Sequence, residues 1–210
     1  MSLADIRRDY PGEPLDEASS DVDPFRQFSA WFEQARQGEQ DPTAMALATA
    51  TRQGRPSVRT VLLKSVDERG FVFYTNYASR KVREMAETGR ASLLFVWRSV
   101  ERQVRVEGSV EKVSDAESDA YFATRPLESR WSAYASRQSE HVESRAALES
   151  RYDVARQVYG ETIPRPHWWG GYRVIPDEFE FWQGRPSRLH DRLQYRKQAN
   201  GSWARERLAP

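Results

Sequence analysis

The 210-residue chain contains no cysteine, which excludes disulfides, thiolate catalysis and cysteine-ligated metals. It has no apolar run near the ~20 residues that span a bilayer. The first ten residues carry Asp5, Arg7, Arg8 and Asp9 and lack the apolar stretch of a secretory signal. Cytoplasmic residence, away from any membrane, is the simplest expectation. A net charge of +1 lacks the basic excess of a nucleic-acid binder. There is no GxGxxG or Walker-type phosphate loop and no serine elbow. The three histidines, His141, His167 and His190, have no metal-ligand spacing, so no metal site is expected. Lysine is scarce too: of 32 basic residues only Lys64, Lys81, Lys112 and Lys197 are lysine. In a chain that uses arginine by default, a lysine can mark a place where a compact point charge is wanted. Four chance survivors would look the same until their positions are considered.

What is present is ample core material. Hydrophobic residues make up 39% and aromatics 12%, enough for one well-buried domain or at most two small ones. Residues 1–23 are rich in Pro, Gly, Asp and Ser after Tyr10 and read as a mobile arm. Asp23-Pro24 then opens a helix to about residue 36, with Phe25, Phe28, Trp31 and Phe32 on one stripe. From 43 to 113 the period becomes that of strands, at 44–50, 57–66, 71–75, 91–97 and 103–113, with a short helix at 79–88 ended by Gly89. Helices are expected at 114–124, 128–135 and 141–158. Strands follow at 172–175, 178–182 and 188–196, and Asn200-Gly201 turns the chain into a closing strand at 203–208. Short connections between many strands favour an antiparallel barrel over a doubly wound sheet. The expectation is α+β: one β-barrel domain over 24–210 with flanking helices.

Four clusters carry cations near strand and helix ends, and aromatics accompany several of them, a combination suited to a planar ligand that bears a phosphate. In Arg59-Thr60-Val61-Leu62-Leu63-Lys64 two cations bracket an apolar strand, costly if buried without an anion. The alternative is an exposed pair at the strand ends, and five residues apart an ideal strand aims them to opposite faces. In Tyr74-Thr75-Asn76-Tyr77-Ala78-Ser79-Arg80-Lys81, Ser79 can cap a helix whose first residues are both cations. That opposes the macrodipole unless an anion docks there. Tyr121 and Arg125 share a helix face, with Ser129 just beyond the break at Pro126; an ordinary surface Tyr–Arg stack would read the same way. Finally, if 188–192 is extended, Arg188, His190 and Arg192 point to one face. Their mutual repulsion would be relieved by a bound polyanion, or merely by Asp191 and its neighbours.

These clusters, in this order, closely resemble those of the pyridoxine/pyridoxamine 5'-phosphate oxidases. The likeness extends through Ile6-Arg7-Arg8-Asp9-Tyr10, Asp41-Pro42-Thr43-Ala44-Met45, Glu101-Arg102-Gln103-Val104, Trp169-Gly170-Gly171-Tyr172-Arg173 and Arg207-Leu208-Ala209-Pro210. The resemblance implies an FMN-binding split β-barrel that works as a homodimer with flavin at the subunit interface. It assigns Arg59, Thr60, Val61, Leu62, Leu63, Lys64, Tyr74, Thr75, Arg80 and Lys81 to FMN. Gln103, Gln138, Ser139, Trp182 and Arg192 complete that site, some of them from the partner subunit. It assigns Lys64, Tyr121, Arg125 and Ser129 to the substrate phosphate, and Arg188 and His190, as catalytic residues, to the pyridine ring. Arg7, Arg8, Asp9 and Tyr10 match a segment that closes over the substrate. The implied reaction oxidises phosphorylated B6 vitamers to pyridoxal 5'-phosphate and reduces O2 to H2O2. Two other readings stay open: a flavin enzyme of the same fold acting on another ring, and a non-catalytic carrier of flavin or pyridoxal phosphate.

Overall fold

A computed structural model describes residues 3–5 and 9–210. The first helix, α1 (Pro24–Ala35), starts where the local chemistry demands: the Asp23 carboxylate accepts from the Phe25 N–H at 2.8 Å, and Pro24 occupies the first turn. Its stripe buries Phe28 and Trp31, with the Phe28 ring edge-on to Phe71 at 4.8 Å.

Among the described residues, nine antiparallel strands make one curled sheet. They are β1 (Ala44–Ala50), β2 (Pro56–Leu62), β3 (Ser65–Asp67), β4 (Gly70–Asn76), β5 (Arg90–Trp97), β6 (Arg102–Lys112), β7 (Trp169–Gln183), β8 (Asp191–Lys197) and β9 (Trp203–Arg207). The path runs β2-β1-β5-β6-β7-β4-β3, and β8 and β9 extend it beside β7. The strand expected over 57–66 is therefore two, and they sit at opposite ends of the path. The step between them makes the closure. Leu63 N–H donates to Thr43 O beside β1, and Lys64 N–H donates to Val72 O on β4, each at 2.9 Å. The sheet curls into a barrel around Met45, Leu47, Phe73, Phe95, Val104 and Phe181, all buried.

The two strands expected at 172–175 and 178–182 are instead one, β7, bent where its register with β6 shifts between Glu107 and Gly108. Pro176 has no N–H to give the ladder. The close crossing requires glycine opposite it, because a Cβ on Gly108 would lie 2.0 Å from Ile175 O.

The helices α2 (Arg80–Thr88), α3 (Asp115–Thr124), α4 (Leu127–Ala135) and α5 (Arg145–Tyr159) flank the sheet. The last starts at 145 rather than 141, because the Ser144 hydroxyl caps it by accepting from Ala147 N–H. Residues 12–21, in the stretch expected as an arm, run along β8 and β9. Leu15 is buried there, its N–H donates to Asp191 at 3.1 Å, and Arg207 pairs with Glu17 at 2.8 Å. No helix among the described residues is long and apolar enough to cross a membrane.

Candidate active site

A cleft of about 990 Å³ opens between β2, β4, the start of α2 and the α3–α4 corner, of a size that takes a cofactor-sized ligand. Because β2 ends at Leu62 and the chain turns there, Arg59 and Lys64 both line this cleft. The opposite-face expectation for an unbroken strand does not hold. Thr60, Val61 and Leu62 form its wall, whereas Leu63 faces the core.

Arg59 is held on every side. Its Nη1 donates to Leu47 O at 3.0 Å and Thr49 Oγ1 at 2.6 Å, and its Nη2 donates to Ser57 Oγ and lies 3.5 Å from Glu84 Oε2. Burial lowers its pKa, although Glu84 opposes that shift. At the start of α2, Arg80 bonds Glu84 one turn on at 2.7 Å. Ser79 precedes the helix but its hydroxyl caps no backbone N–H. Instead Ser139 Oγ accepts from Arg80 N–H at 3.1 Å, with Ser139 in the left-handed region at φ 72°. The Lys81 ammonium is buried and donates to Gln138 Oε1 (2.7 Å), Thr75 Oγ1 (3.1 Å) and Ser79 Oγ (3.2 Å). All three partners are neutral. Burial first, and then Arg59, press its pKa down to about 8.

Across the cleft, Tyr74 stacks on Tyr121 with centroids 3.9 Å apart and on Trp169 at 5.4 Å. Gly171 admits the Tyr74 ring, which a Cβ there would meet at 2.9 Å. Arg125 lies over Trp169 at 4.6 Å. Its Nη1 is buried with no hydrogen-bond partner among the described residues, and burial lowers its pKa. The Tyr–Arg pair is thus no surface stack. Ser129 lines the same end of the cleft.

Gln103, Trp182 and Arg192 lie elsewhere. They form one cross-strand row over β6, β7 and β8, on the face opposite buried Val104, Phe181 and Leu193. Arg188 and His190 do not continue β8 as expected. Pro186–Arg188 is a 3-10 turn in which Ser187 and Arg188 take φ 56° and 61°, so the single strand face for Arg188, His190 and Arg192 is not formed. The His190 ring sits 4.6 Å from Trp182 and 5.5 Å from Tyr10, with Nδ1 accepting from Arg185 N–H. Asp9 is exposed beside it in sequence, and Arg7 and Arg8 lie outside the described residues. The expected set omits Trp169, which lines the cleft beneath Arg125, and Glu84, which lies behind the cleft and bonds Arg80. The second had a signal in the sequence, its i+4 spacing from Arg80.

A curled antiparallel half-barrel beside a cleft lined by aromatics and arginines is the architecture of a split-barrel flavoprotein. Residues 32–159 match the family model described as pyridoxamine 5'-phosphate oxidase, and 169–210 match the pyridoxine 5'-phosphate oxidase C-terminal dimerisation region. The pyridoxine/pyridoxamine 5'-phosphate oxidase of Ralstonia pickettii is 59% identical over 210 residues, covering 100% of this chain and 99% of that one. The same-named protein of Rubrobacter xylanophilus is 58% identical, covering 99% and 96%. Among solved structures, PhzG of Burkholderia lata, in complex with tetrahydrophenazine-1-carboxylic acid, superposes with a TM-score of 0.89 at 34% identity, covering 95% and 99%. The chain belongs to the pyridoxine/pyridoxamine 5'-phosphate oxidase family and is an oxidoreductase, which sets aside the carrier reading. Its cofactor is FMN, and the cleft fits that group: a cluster of three cations at one end, a stacked aromatic wall at the other.

Proposed function

We propose that the protein oxidises pyridoxamine and pyridoxine 5'-phosphates to pyridoxal 5'-phosphate, with O2 reduced to H2O2. The observation that carries this reading is Arg125. A buried guanidinium nitrogen without a hydrogen-bond partner among the described residues, fixed over Trp169, is a site for an anionic oxygen. Lys64, Tyr121 and Ser129 line the same cleft and would share the substrate phosphate. At its other end Arg59, Arg80, Lys81, Gln138 and Ser139 would take the FMN phosphate, with Thr60, Val61, Leu62, Tyr74 and Thr75 along the ring system and Leu63, whose side chain faces the core, contributing backbone only. Bound FMN supplies the two-electron redox chemistry and the reaction with O2. The chain's part is to hold the vitamer so that its C4' carbon faces that acceptor, and to keep bulk water out. For the amine substrate, water enters and ammonia leaves to balance the oxidation.

The remaining residues fit a homodimer. Val58, Leu62 and Val96 leave apolar surface on the outer sheet face, and the row Gln103, Trp182 and Arg192 continues it. Packing two copies over this face, consistent with the dimerisation region at 169–210, would cover those side chains. It would carry Gln103, Trp182 and Arg192 of one copy to the flavin of the other, and Arg188 and His190 to the substrate ring. Asp9 and Tyr10, with Arg7 and Arg8, would close over the bound vitamer. The absence of cysteine accords with a cytoplasmic enzyme.

Purified holoprotein mixed anaerobically with pyridoxamine 5'-phosphate tests the assignment. The flavin absorbance should bleach, then return with peroxide when air is admitted. A flavin that stays oxidised would sink it. The likeness to PhzG favours one second reading, oxidation of another ring system, and the same experiment with a tetrahydrophenazine carboxylic acid separates the two.

A further inference from the structure

Glu84 is 2% exposed, on the inner side of α2, and does not line the cleft. Nothing in the reaction calls for a carboxylate there, yet it joins two elements that carry cleft cations. Its Oε1 accepts from Arg80 Nε on α2 at 2.7 Å. Its Oε2 accepts from Thr49 Oγ1 on β1 and from Ser57 Oγ on β2, each at 2.5 Å, and stands 3.5 Å from Arg59 Nη2.

The two hydroxyls work in relay. An ionised carboxylate can only accept, so both hydroxyl hydrogens turn towards Glu84. That leaves the lone pairs of Thr49 and Ser57 for Arg59, which donates to both. The carboxylate thereby fixes the orientation of a guanidinium it scarcely touches. It also offsets the mutual repulsion of three cations, Arg59, Arg80 and Lys81, gathered at the first turn of a helix whose dipole disfavours them.

We propose that Glu84 is the positioning residue for the phosphate end of the cofactor site: one buried carboxylate sets Arg59 and Arg80 in the arrangement that receives a phosphate dianion. This rests on the assignment of Arg59 and Arg80 to the FMN phosphate made above. A neutral amide at position 84 keeps one acceptor oxygen and puts an NH2 donor where the other stood, so it faces either Arg80 Nε or the two hydroxyls with a donor and releases at least one of the two guanidiniums.

Riboflavin, which lacks the phosphate, separates positioning from general support of the fold. Full-length protein freed of flavin is titrated with FMN and with riboflavin, following flavin fluorescence. Glu84→Gln should weaken FMN about 10- to 100-fold, the scale of one charge-assisted hydrogen bond, and leave riboflavin within about twofold. Ser57→Ala, which removes one relay hydroxyl, should shift the preference in the same direction by less. It decides the matter in the same way if Glu84→Gln fails to fold. Equal losses for both flavins, or an unchanged preference for FMN, would overturn the proposal. Arg59→Ala measured alongside tells the two levels apart. If it leaves the preference for FMN intact, the phosphate assignment itself fails. If it abolishes the preference while Glu84→Gln does not, only the positioning role fails.

Discussion

Replacing Arg125 by alanine tests the substrate-phosphate assignment at its most exposed point. The guanidinium sits just past α3, where the backbone turns extended at φ −72° and ψ 146°, and is pinned over the Trp169 ring. Its buried Nη1 has no hydrogen-bond partner among the described residues. A charge-assisted hydrogen bond contributes ~1.5–3 kcal/mol, so loss of one such bond to the phosphate should raise KM about 10- to 150-fold. The contact is the same before and during the oxidation, so kcat should change little. Arg125→Lys keeps the charge without the planar fork and should recover part of the loss. The ligand-free protein supplies a second readout. Removing a desolvated cation that lacks an anion relieves a cost, and losing its contact with Trp169 imposes a comparable one, so the melting temperature should move by only a few degrees. Steady-state kinetics with pyridoxamine 5'-phosphate give the answer. A wild-type KM, or a fall in kcat at constant KM, would refute the placement of the phosphate at Arg125.

If Lys81 holds the FMN phosphate as proposed, cofactor affinity should depend on pH. With its pKa pressed to about 8 by burial, the ammonium loses its proton as pH rises through 8, and FMN should bind more weakly from there upward; Lys81→Met should abolish that step in fluorescence titrations. The sign for stability is opposite: between about 8 and 10.5 the unfolded chain holds a proton that the folded chain does not, so this residue's contribution to ligand-free stability rises with pH. His190→Ala and Arg188→Ala should lower kcat about 10- to 100-fold, more than they change KM, because their proposed role is to align the ring rather than grip the phosphate; an unchanged kcat would remove both from the ring. Phe28→Ala, in the fully buried face of α1, should cost ~3–5 kcal/mol in denaturant unfolding, and a loss under 1 kcal/mol would mean that α1 does not seal the barrel.

The elements legible in the sequence are those specified locally. Asp23-Pro24 opens α1, and Gly89, at φ 71°, ends α2. What escaped is specified by distant partners. Nothing local interrupts the alternation from Ser57 to Val66; the corner at Leu63-Lys64 exists because Thr43 and Val72, on different strands, accept its two N–H groups. The turn at Ser187 and Arg188 uses the left-handed region without a glycine to announce it, so periodicity read straight through it. The four clusters were visible as residue types, but their gathering was not. Closure between β2 and β3 brings Arg59 and Lys64 to one cleft, and the stack of Tyr74, Tyr121 and Trp169 draws β4, α3 and β7 together.

The arginines differ in the company they keep, and the difference follows the roles proposed for them. Arg59 and Arg80 share Glu84, whose own burial would raise its pKa but is outweighed by hydrogen bonds from Ser57, Thr49 and Arg80, which hold it at about 2. Arg192 forms a fork with Glu180, both bonds at 3.0 Å, and Glu180 also takes Arg105 at 2.8 Å. Each of these three is assigned to the cofactor. Arg125 lies over an aromatic ring, and its buried Nη1 meets no carboxylate among the described residues. A resident carboxylate fixes geometry before a ligand arrives, but it competes for the same donors. That trade suits a cofactor that stays bound, since it gains from a rigid cradle and is kept by many other contacts. It does not suit a substrate phosphate that must be captured and released at every turnover, because the competing anion would cancel much of the one interaction that orients it. A carboxylate placed beside Arg125, as in Ser129→Asp, should therefore raise KM more than the loss of the serine hydroxyl in Ser129→Ala, and equal effects in the two variants would show that competition at this arginine is unimportant.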